Sequence, residues 1–315
     1  MALGQFVKWS SVDTPTQAKR RLIPTIAGRE AAWGFFFILP WIIGLFLFTL
    51  NPILSVFQWS FTDYSILGSP KPVGLQNFEK IAADPLFVKS LYNTLYFVIF
   101  RVPIYLILAF ILALLLNRSG RLIPAFRAAI YLPAVAPVVA LAVLWRILLD
   151  PRTGYVNYYL GLLGIPQMNW LTSEVLAKPA MVWMSLWSVG IPTMIFLAGL
   201  QGVPEQLYEA AEIDGATWWN KLWTVTIPMM TPTILLNLIM EIINSFQVFS
   251  YAFILTNGGP VDSTLFYILY IYRHAFEYFQ MGYASALALI LFVIILALTA
   301  LVMKLSDKWV TYERI

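Results

Sequence analysis

Cysteine is absent from the 315-residue sequence, and histidine occurs once, as His274. Without cysteine the chain can form neither disulfides nor thiolate metal sites. A single histidine cannot hold a metal ion by itself, so no metal centre is expected. His274 lies in a polar connection beside Arg273 and Glu277, where we expect a surface role rather than a catalytic one.

Charged residues are also scarce. They make up 11% of the sequence and apolar residues 60%, whereas a soluble domain usually contains about 25% charged residues. This composition predicts an integral membrane protein. The net charge is only +4, so its distribution along the chain is more informative than its sum, and no nucleic-acid partner is expected.

Two motifs that would indicate an enzyme are missing. The sequence contains no Gly-x-x-x-x-Gly-Lys-Ser/Thr, so the chain lacks the phosphate-binding loop of the common ATPases, and it contains no Gly-x-Ser-x-Gly. The sequence therefore gives no reason to propose catalytic residues, and we expect this chain to bind no cofactor.

Long uncharged stretches dominate what is present. Six apolar runs are each near or above the roughly 20 residues that a membrane-spanning helix needs. They cover residues 33–57, 90–116, 128–149, 179–200, 225–255 and 282–303. We predict an all-α membrane protein with six transmembrane helices, whose membrane domain is residues 33–305. The third run fits this pattern least well, because Pro133 and Pro137 interrupt it and Arg146 lies near its end.

The orientation follows from lysine and arginine, which prefer cytoplasmic connections. With the N-terminus inside, twelve of these residues fall in inner segments and seven in outer segments. We therefore predict that residues 1–32 and the tail at 306–315 are both cytoplasmic. The first apolar run has no small-residue cleavage site in a suitable place, so it is predicted to be a retained helix.

A polar stretch at residues 201–224 separates the fourth and fifth runs. Pro204 suits the first position of a helix, and Glu205 places a carboxylate at its positive N-terminal end. Gly215 predicts the end of this helix, and Thr217 is suited to cap a second one. The stretch would then form a compact surface on one membrane face. The alternative is a solvated loop with helical propensity.

Polar residues also occur inside the fifth run. Asn237, Glu241 and Asn244 are spaced by four and three residues and therefore share one helix face. That face is widened by Ser245, Gln247 and Tyr251. Because an intramembrane carboxylate normally faces a bundle interior or a wet cavity, the face is predicted to line a translocation pathway for a sugar-like solute. The alternative is that these residues join neighbouring helices.

Two further features lie inside apolar runs. Arg101 is the other buried charge, and we expect it to form a structural ion pair or to reach an interface. Gly190 and Pro192 break the fourth run near its middle, and broken helices at membrane depth often flank a substrate site.

The 201–224 stretch also carries a specific spacing. A Glu-Ala-Ala sequence at residues 209–211 is separated by three residues from Gly215, and nine further residues separate Gly215 from an apolar-Thr-apolar-Pro sequence at residues 225–228. This spacing resembles the EAA signature of ABC-importer permeases. Other segments are similar to the maltose-type sugar-importer permeases. They are Gly74-Leu75-Gln76-Asn77-Phe78, Asn93-Thr94, Leu132-Pro133, Asn157 and Leu255-Thr256-Asn257-Gly258-Gly259-Pro260.

The resemblance runs from about residue 33 to residue 303 and implies the transmembrane-domain fold of a type I ABC importer. It implies a multi-pass protein of a prokaryotic cell membrane that alternates between inward-open and outward-open forms. The implied partners are a second related permease, two ATPase subunits that bind ATP and Mg²⁺, an extracytoplasmic solute-binding protein, a sugar and the lipid bilayer.

The resemblance also implies functional residues. In that family the 201–224 stretch is the coupling helix that docks into the ATPase. The matching residues here are Glu205, Glu209, Ala210, Ala211, Asp214 and Gly215. The family holds its sugar on the helices before and after this loop. The matching residues here are Trp187, Ser188, Gly190, Thr193, Glu241, Asn244, Ser245 and Val248. Asn244 and Val248 depart from the best-known maltose permeases, so a different sugar is expected, and some members carry other solutes such as glycerol phosphate.

Two other classes of function stay open at this point. A stand-alone secondary transporter or channel would show an inverted repeat and coupling-ion carboxylates, and Glu241 is the one candidate carboxylate. A membrane-embedded enzyme would need a nucleophile, paired carboxylates or a metal cluster within the bilayer.

Overall fold

The computed structural model describes residues 26–311 and is almost entirely helical. Its helices are α1 (Ile26–Leu45), α2 (Asn51–Trp59), α3 (Gln76–Ala82), α4 (Pro85–Leu116), α5 (Ile123–Val135), α6 (Val138–Leu148), α7 (Tyr155–Leu162), α8 (Ala177–Ser185), α9 (Gly190–Gln201), α10 (Glu205–Ile213), α11 (Trp218–Lys221), α12 (Ile227–Phe246), α13 (Tyr267–Tyr272) and α14 (Met281–Ser306). Two short strands, β1 (Thr62–Asp63) and β2 (Lys71–Pro72), pair antiparallel. The predicted helical class is confirmed.

Shorter turns join several of these helices. π-helical segments lie at Phe46–Leu50, Leu222–Thr226, Ala252–Thr256 and Arg273–Glu277, and a 3-10 turn lies at Leu186–Ser188. The chain divides into two compact units, Met1–Leu54 and Ser55–Ile315. Most of the predicted N-terminal segment 1–32 and the last four residues lie outside the described residues.

Four helical stretches of the described chain are long and apolar enough to cross a membrane. They are Trp33–Trp59, Pro85–Leu116, Trp218–Phe246 and Met281–Ser306. Two bent pairs, α5 with α6 and α8 with α9, bring the number to six if each pair forms one span. The prediction of six spans therefore agrees with the structure only when each bent pair is counted once.

The third apolar run is not the continuous helix predicted for residues 128–149. α5 and α6 are bent by 97° at their junction. Ala136 there is extended, with φ −67° and ψ 140°, because the ring of Pro137 sterically excludes the preceding residue from the helical region. Pro133, in contrast, lies inside α5 without ending it.

The fifth run, predicted over residues 225–255, is also divided. α12 ends at Phe246, and Gln247 has φ −98° and ψ 18°. Val248 and Phe249 lie outside any helix before the chain turns into the segment Ala252–Thr256. A tight turn follows this segment at Asn257, which has a left-handed φ of 46°. The break after Phe246 creates a short non-helical segment within an apolar sequence.

α4 is the central helix of the second unit and contacts α8, α9, α12 and α13. Ala109 and Ala113 are fully buried on it and belong to a cluster with Phe196 of α9 and Met230 of α12. Small side chains let neighbouring helix backbones approach closely, and this van der Waals packing drives helix association in lipid. The alanines therefore explain why α9 and α12 pack against this part of α4.

A polar cluster surrounds the start of α4. Asp84 caps the helix by accepting the Leu86 N–H at 2.9 Å, and it also accepts the hydroxyls of Tyr270 and Tyr283. Burial raises the pKa of Asp84, but the hydrogen bonds to its ionised form outweigh burial, so this pKa lies below its ordinary value. His274 packs here between the tyrosine rings, which differs from the surface role predicted for it.

His274 should make the protein less stable in mild acid. Its Nδ1 shares a hydrogen bond of 2.9 Å with Gln280 Oε1. Burial lowers the pKa of His274 below its ordinary value of 6.5, although the Gln280 bond and the Asp84 charge raise it. The folded state thus favours the neutral ring, and this stability is present above the unfolded pKa and lost as the pH falls through the folded pKa.

The test is the thermal unfolding temperature of the full-length protein in detergent, measured from about pH 7 to about pH 5. It should fall with pH for the natural sequence, and His274→Gln should flatten that fall. A fall of the same size in both proteins would show that another group is responsible.

Candidate functional site

The polar stretch between α9 and α12 folds as two helices joined by a glycine bend. α10 begins at Glu205 because Pro204, with ψ 129°, is extended and takes the N-cap position. The prediction that Pro204 is the first helical residue is therefore wrong by one position. Gly215 follows α10 with φ +77°, as its predicted role requires.

Backbone and side-chain caps close both ends of the bend. The Ala216 N–H donates to the carbonyl of Ala211 at 2.9 Å, which wraps the chain around the end of α10. At the start of α11, Thr217 Oγ1 accepts the Asn220 N–H at 3.4 Å. The predicted helix, bend and capped second helix are confirmed.

This helix pair presents carboxylates to its surroundings. The exposed residues include Glu205, Glu209, Ala210, Asp214 and Gly215, while Ala211 is half-buried. Glu212 has a local partner, since its Oε1 lies 2.5 Å from Lys221 Nζ. Within the described residues, no ion pair engages Glu205, Glu209 or Asp214.

One side-chain contact ties the helix pair to the membrane domain. The Tyr208 hydroxyl and Thr226 Oγ1 lie 3.1 Å apart, and Thr226 directly precedes α12. This contact joins α10 to the residue before α12.

An ion pair connects α4 and α12. Arg101 Nη1 lies 2.6 Å from Glu241 Oε2 and donates to Ser245 Oγ, also at 2.6 Å. The guanidinium carbon lies 4.3 Å from the ring centre of Tyr105, so the arginine also makes a cation–π contact. Both charged side chains are buried, with 11% and 8% exposed. The ion pair expected for Arg101 is present, and its partner is Glu241.

A cavity of about 220 Å³ lies beside this ion pair. Its lining combines hydroxyl, amide and aromatic groups: Phe97, Arg101, Val138, Ser185, Ser188, Asn244, Gln247, Val248, Phe249, Ser250 and Tyr251. The segment directly after α12 supplies much of this wall, since residues 247–251 all belong to the lining. Four of the predicted pathway residues meet here, namely Ser188, Asn244, Gln247 and Val248.

The other predicted pathway residues have different surroundings. Asn237 is buried and donates to the carbonyl of Thr233 at 3.0 Å. Thr193 is buried and donates to the carbonyl of Val189 at 2.8 Å. Trp187 is 54% exposed and packs edge-on against Trp145. None of the three lines the cavity described above.

Gly190 has a packing role. A Cβ atom at this position would lie 2.5 Å from the carbonyl oxygen of Ile130 and 2.9 Å from Cα of Tyr131. Only glycine lets the start of α9 approach the backbone of α5 this closely. Nearby, the Tyr105 hydroxyl donates to the carbonyl of Ser188 at 2.7 Å and so joins α4 to the turn before α9.

Sequence reasoning missed several lining residues. Ser185 and Val138 lie on α8 and α6, where nothing in the apolar pattern distinguishes them. The sequence predicts Phe249 and Ser250 within a continuous fifth helix, and it carries no signal for the break that brings them to the cavity. Tyr251, in contrast, belongs to the residues that widen the predicted polar face, and it does line the cavity.

Comparison with known proteins identifies the family of this chain. Residues 88–312 match the family described as the inner membrane component of binding-protein-dependent transport systems. The probable ABC transporter permease protein YesP of Bacillus subtilis is 38% identical over 285 residues, covering 89% of this chain and 92% of that protein. The arabinooligosaccharides transport system permease protein AraP of the same organism is 31% identical over 299 residues, covering 94% and 95%.

A solved structure shows the same fold. A chain of a bacterial ABC transporter that imports the acidic polysaccharide alginate superimposes with a TM-score of 0.79 at 24% identity, covering 89% of this chain and 96% of that chain. The type I importer fold and a transport role, as opposed to an enzymatic one, agree with the sequence-based expectation. The protein belongs to the inner membrane components of binding-protein-dependent ABC transport systems, as a permease.

Proposed function

We propose that this chain forms half of the translocation pathway for an uncharged sugar or oligosaccharide in an ATP-driven importer. The observation that carries the proposal is the cavity between α4, α8 and the segment after α12. Its serine hydroxyls and the amides of Asn244 and Gln247 can exchange hydrogen bonds with sugar hydroxyls. Phe249 and Tyr251 add aromatic faces on which a sugar ring can pack.

The charges of the lining favour an uncharged solute. Among the described lining residues, Arg101 alone carries a charge, and Glu241 neutralises it at a distance of 2.6 Å. An anion such as glycerol phosphate would have to compete with this carboxylate for the guanidinium group. Several relatives are also named for sugars, among them a trehalose/maltose permease from Thermococcus litoralis that is 31% identical over 283 residues.

The helix pair α10–α11 is proposed as the contact with the ATPase. Its free carboxylates at Glu205, Glu209 and Asp214 can form charge-assisted hydrogen bonds with a basic groove. The small side chains of Ala210 and Ala211 allow close approach of a partner's backbone. The Tyr208–Thr226 contact would pass motion from this helix pair to α12.

The remaining parts of the proposed assembly follow from the family. A second related permease would complete the pathway, two ATPase subunits would bind ATP and Mg²⁺, and an extracytoplasmic binding protein would deliver the sugar. A structural neighbour is in fact described in complex with a periplasmic protein that carries an alginate pentasaccharide. We propose that both termini and α10–α11 lie on the cytoplasmic side.

Cysteine labelling tests the cavity, because the chain has no cysteine of its own. In the assembled transporter, a water-requiring thiol reagent should modify Asn244→Cys, and transported sugar should slow this reaction. Asn237→Cys is the matched control, since Asn237 is 1% exposed on the same helix and should stay unlabelled. Equal labelling of both positions, or no protection by sugar, would contradict the proposed pathway.

Removal of the Asn244 amide should weaken uptake modestly. One neutral hydrogen bond is worth about 0.5–1.5 kcal/mol, so Asn244→Ala should reduce the apparent affinity for sugar roughly two- to thirteen-fold. ATPase association should not change. A loss of ATPase binding in this variant would show a structural role for Asn244 instead.

A further inference from the structure

A second cavity, of about 620 Å³, opens where the membrane helices meet the α10–α11 pair. Its lining comes from α4, α9, α10, α11 and the start of α12: Phe110, Ile111, Leu114, Leu115, Asn117, Arg118, Leu200, Tyr208, Trp218, Trp219, Leu222, Thr226 and Ile227. We propose that this groove binds one anionic phospholipid of the surrounding membrane, with an acyl chain along α4 and the headgroup phosphate at Arg118.

The groove is apolar at one end and polar at the other, like a phospholipid with its acyl chains and its headgroup. Phe110, Leu114 and Leu115 form an apolar wall on the last turns of α4. From Phe110 to Leu116 the helix advances about 9 Å at 1.5 Å per residue. Asn117 and Arg118 directly follow the end of α4, where the candidate membrane span ends. The apolar wall therefore lies at acyl depth and the polar end at headgroup depth.

The headgroup end is suited to a lipid interface. Trp218 and Trp219 lie side by side there, with ring centres 4.8 Å apart, and both are exposed. Tryptophan is enriched where the bilayer meets water, because its ring is apolar and its N–H is polar. Exposed tryptophans at the mouth of a groove that ends in arginine favour a lipid occupant over water.

The charge at this end is available for an anion. Arg118 is exposed, and within the described residues no ion pair or side-chain hydrogen bond engages its guanidinium group. The lining contains no carboxylate, and Glu212 on the adjoining α10 is held by Lys221 at 2.5 Å. Arg127 also donates to the carbonyl of Leu116 at 2.9 Å, which offsets the negative end of α4.

Such a lipid would contact each of the helices that meet at this groove. It would contact α4 and α9 on one side and Tyr208, Trp218 and Trp219 on the other. A bound phospholipid would thereby fill the space under the α10–α11 pair and support its position against the membrane helices.

The test compares phospholipid retention by the assembled transporter after extraction from bilayers of phosphatidylglycerol and phosphatidylcholine with identical acyl chains. Native mass spectrometry should detect retained phosphatidylglycerol in preference to phosphatidylcholine. One basic residue near the bilayer surface strengthens the binding of an anionic lipid about five-fold. Arg118→Gln should therefore lower the retention of phosphatidylglycerol by about this factor. The matched control Arg121→Gln, three residues away and outside the lining, should leave it unchanged. Equal retention by the two variants would overturn the proposal.

The occupant itself can be identified by cross-linking. Leu115→Cys, modified with a photoreactive maleimide, should cross-link to phospholipid in the assembled transporter. A cross-link to the second permease at this position would mean that protein fills the groove, and it would contradict the assignment.

Discussion

Glu241→Ala is expected to cause the largest loss of folded protein among the substitutions in the membrane domain. It leaves the guanidinium group of Arg101 without a carboxylate partner, next to the Ser245 hydroxyl and the rings of Tyr105 and Phe97. Removing one member of a buried ion pair typically costs about 3–5 kcal/mol, because the remaining charge is uncompensated. The measurement is the yield and thermal unfolding temperature of the detergent-solubilised protein, compared with the natural sequence.

Two double variants test whether the Arg101–Glu241 ion pair serves stability alone or also transport. The exchange Arg101→Glu with Glu241→Arg should recover much of the lost stability, though less than all of it, because a carboxylate beside the Tyr105 ring loses the cation–π contact. The uncharged pair Arg101→Met with Glu241→Met should also fold, since apolar replacement of a buried pair is often neutral. If the double methionine variant folds but transports poorly, Arg101 has a function in solute transport at the cavity. If Glu241→Ala is as stable as the natural sequence, the ion pair is not what joins α4 to α12.

Gly215→Val is expected to abolish coupled transport while the membrane helices stay folded. The residue has φ +77°, and a Cβ atom added there would meet no atom within 4 Å, so the main cost of the substitution arises from the backbone conformation. A non-glycine residue held in this region costs about 1–3 kcal/mol, and a β-branched side chain is the least tolerant. The bend between α10 and α11 should therefore distort and weaken ATPase association.

Asparagine provides the matched control at this position. Asn tolerates left-handed φ better than other non-glycine residues, so Gly215→Asn should keep most of the ATPase association that Gly215→Val loses. The measurement is the amount of ATPase that co-purifies with each variant. Equal association of both variants with the ATPase would mean that the glycine bend is not needed for docking.

The α10–α11 helix pair could be predicted from the sequence because its determinants are local. Glu205, Gly215 and Thr217 act through the helix N-terminus, a positive φ and a side-chain cap, each set within a few residues of sequence. Pro204 differs from its predicted position by one residue, because proline suits both the N-cap region and the first turn.

The cavity beside α12 could be predicted only in part from the sequence. Periodicity placed Asn237, Glu241 and Asn244 on one face, but that face is divided: Asn244 lines the cavity, Glu241 binds Arg101 and Asn237 bonds to its own helix. The ion pair joins residues 140 positions apart, and local pattern carries no information about such a contact. The end of α12 at Phe246 also has no local signal, because neither proline nor glycine occurs near it in the sequence.

The most direct test of the account is sugar uptake by the purified transporter in sealed liposomes. The chain, its partner permease, the co-purifying ATPase and the binding protein should accumulate a labelled uncharged oligosaccharide only when ATP is supplied on the ATPase side. The chain alone should neither take up the sugar nor hydrolyse ATP, since it lacks a phosphate-binding loop. ATP-independent uptake by the chain alone would contradict the account and identify a stand-alone transporter or channel.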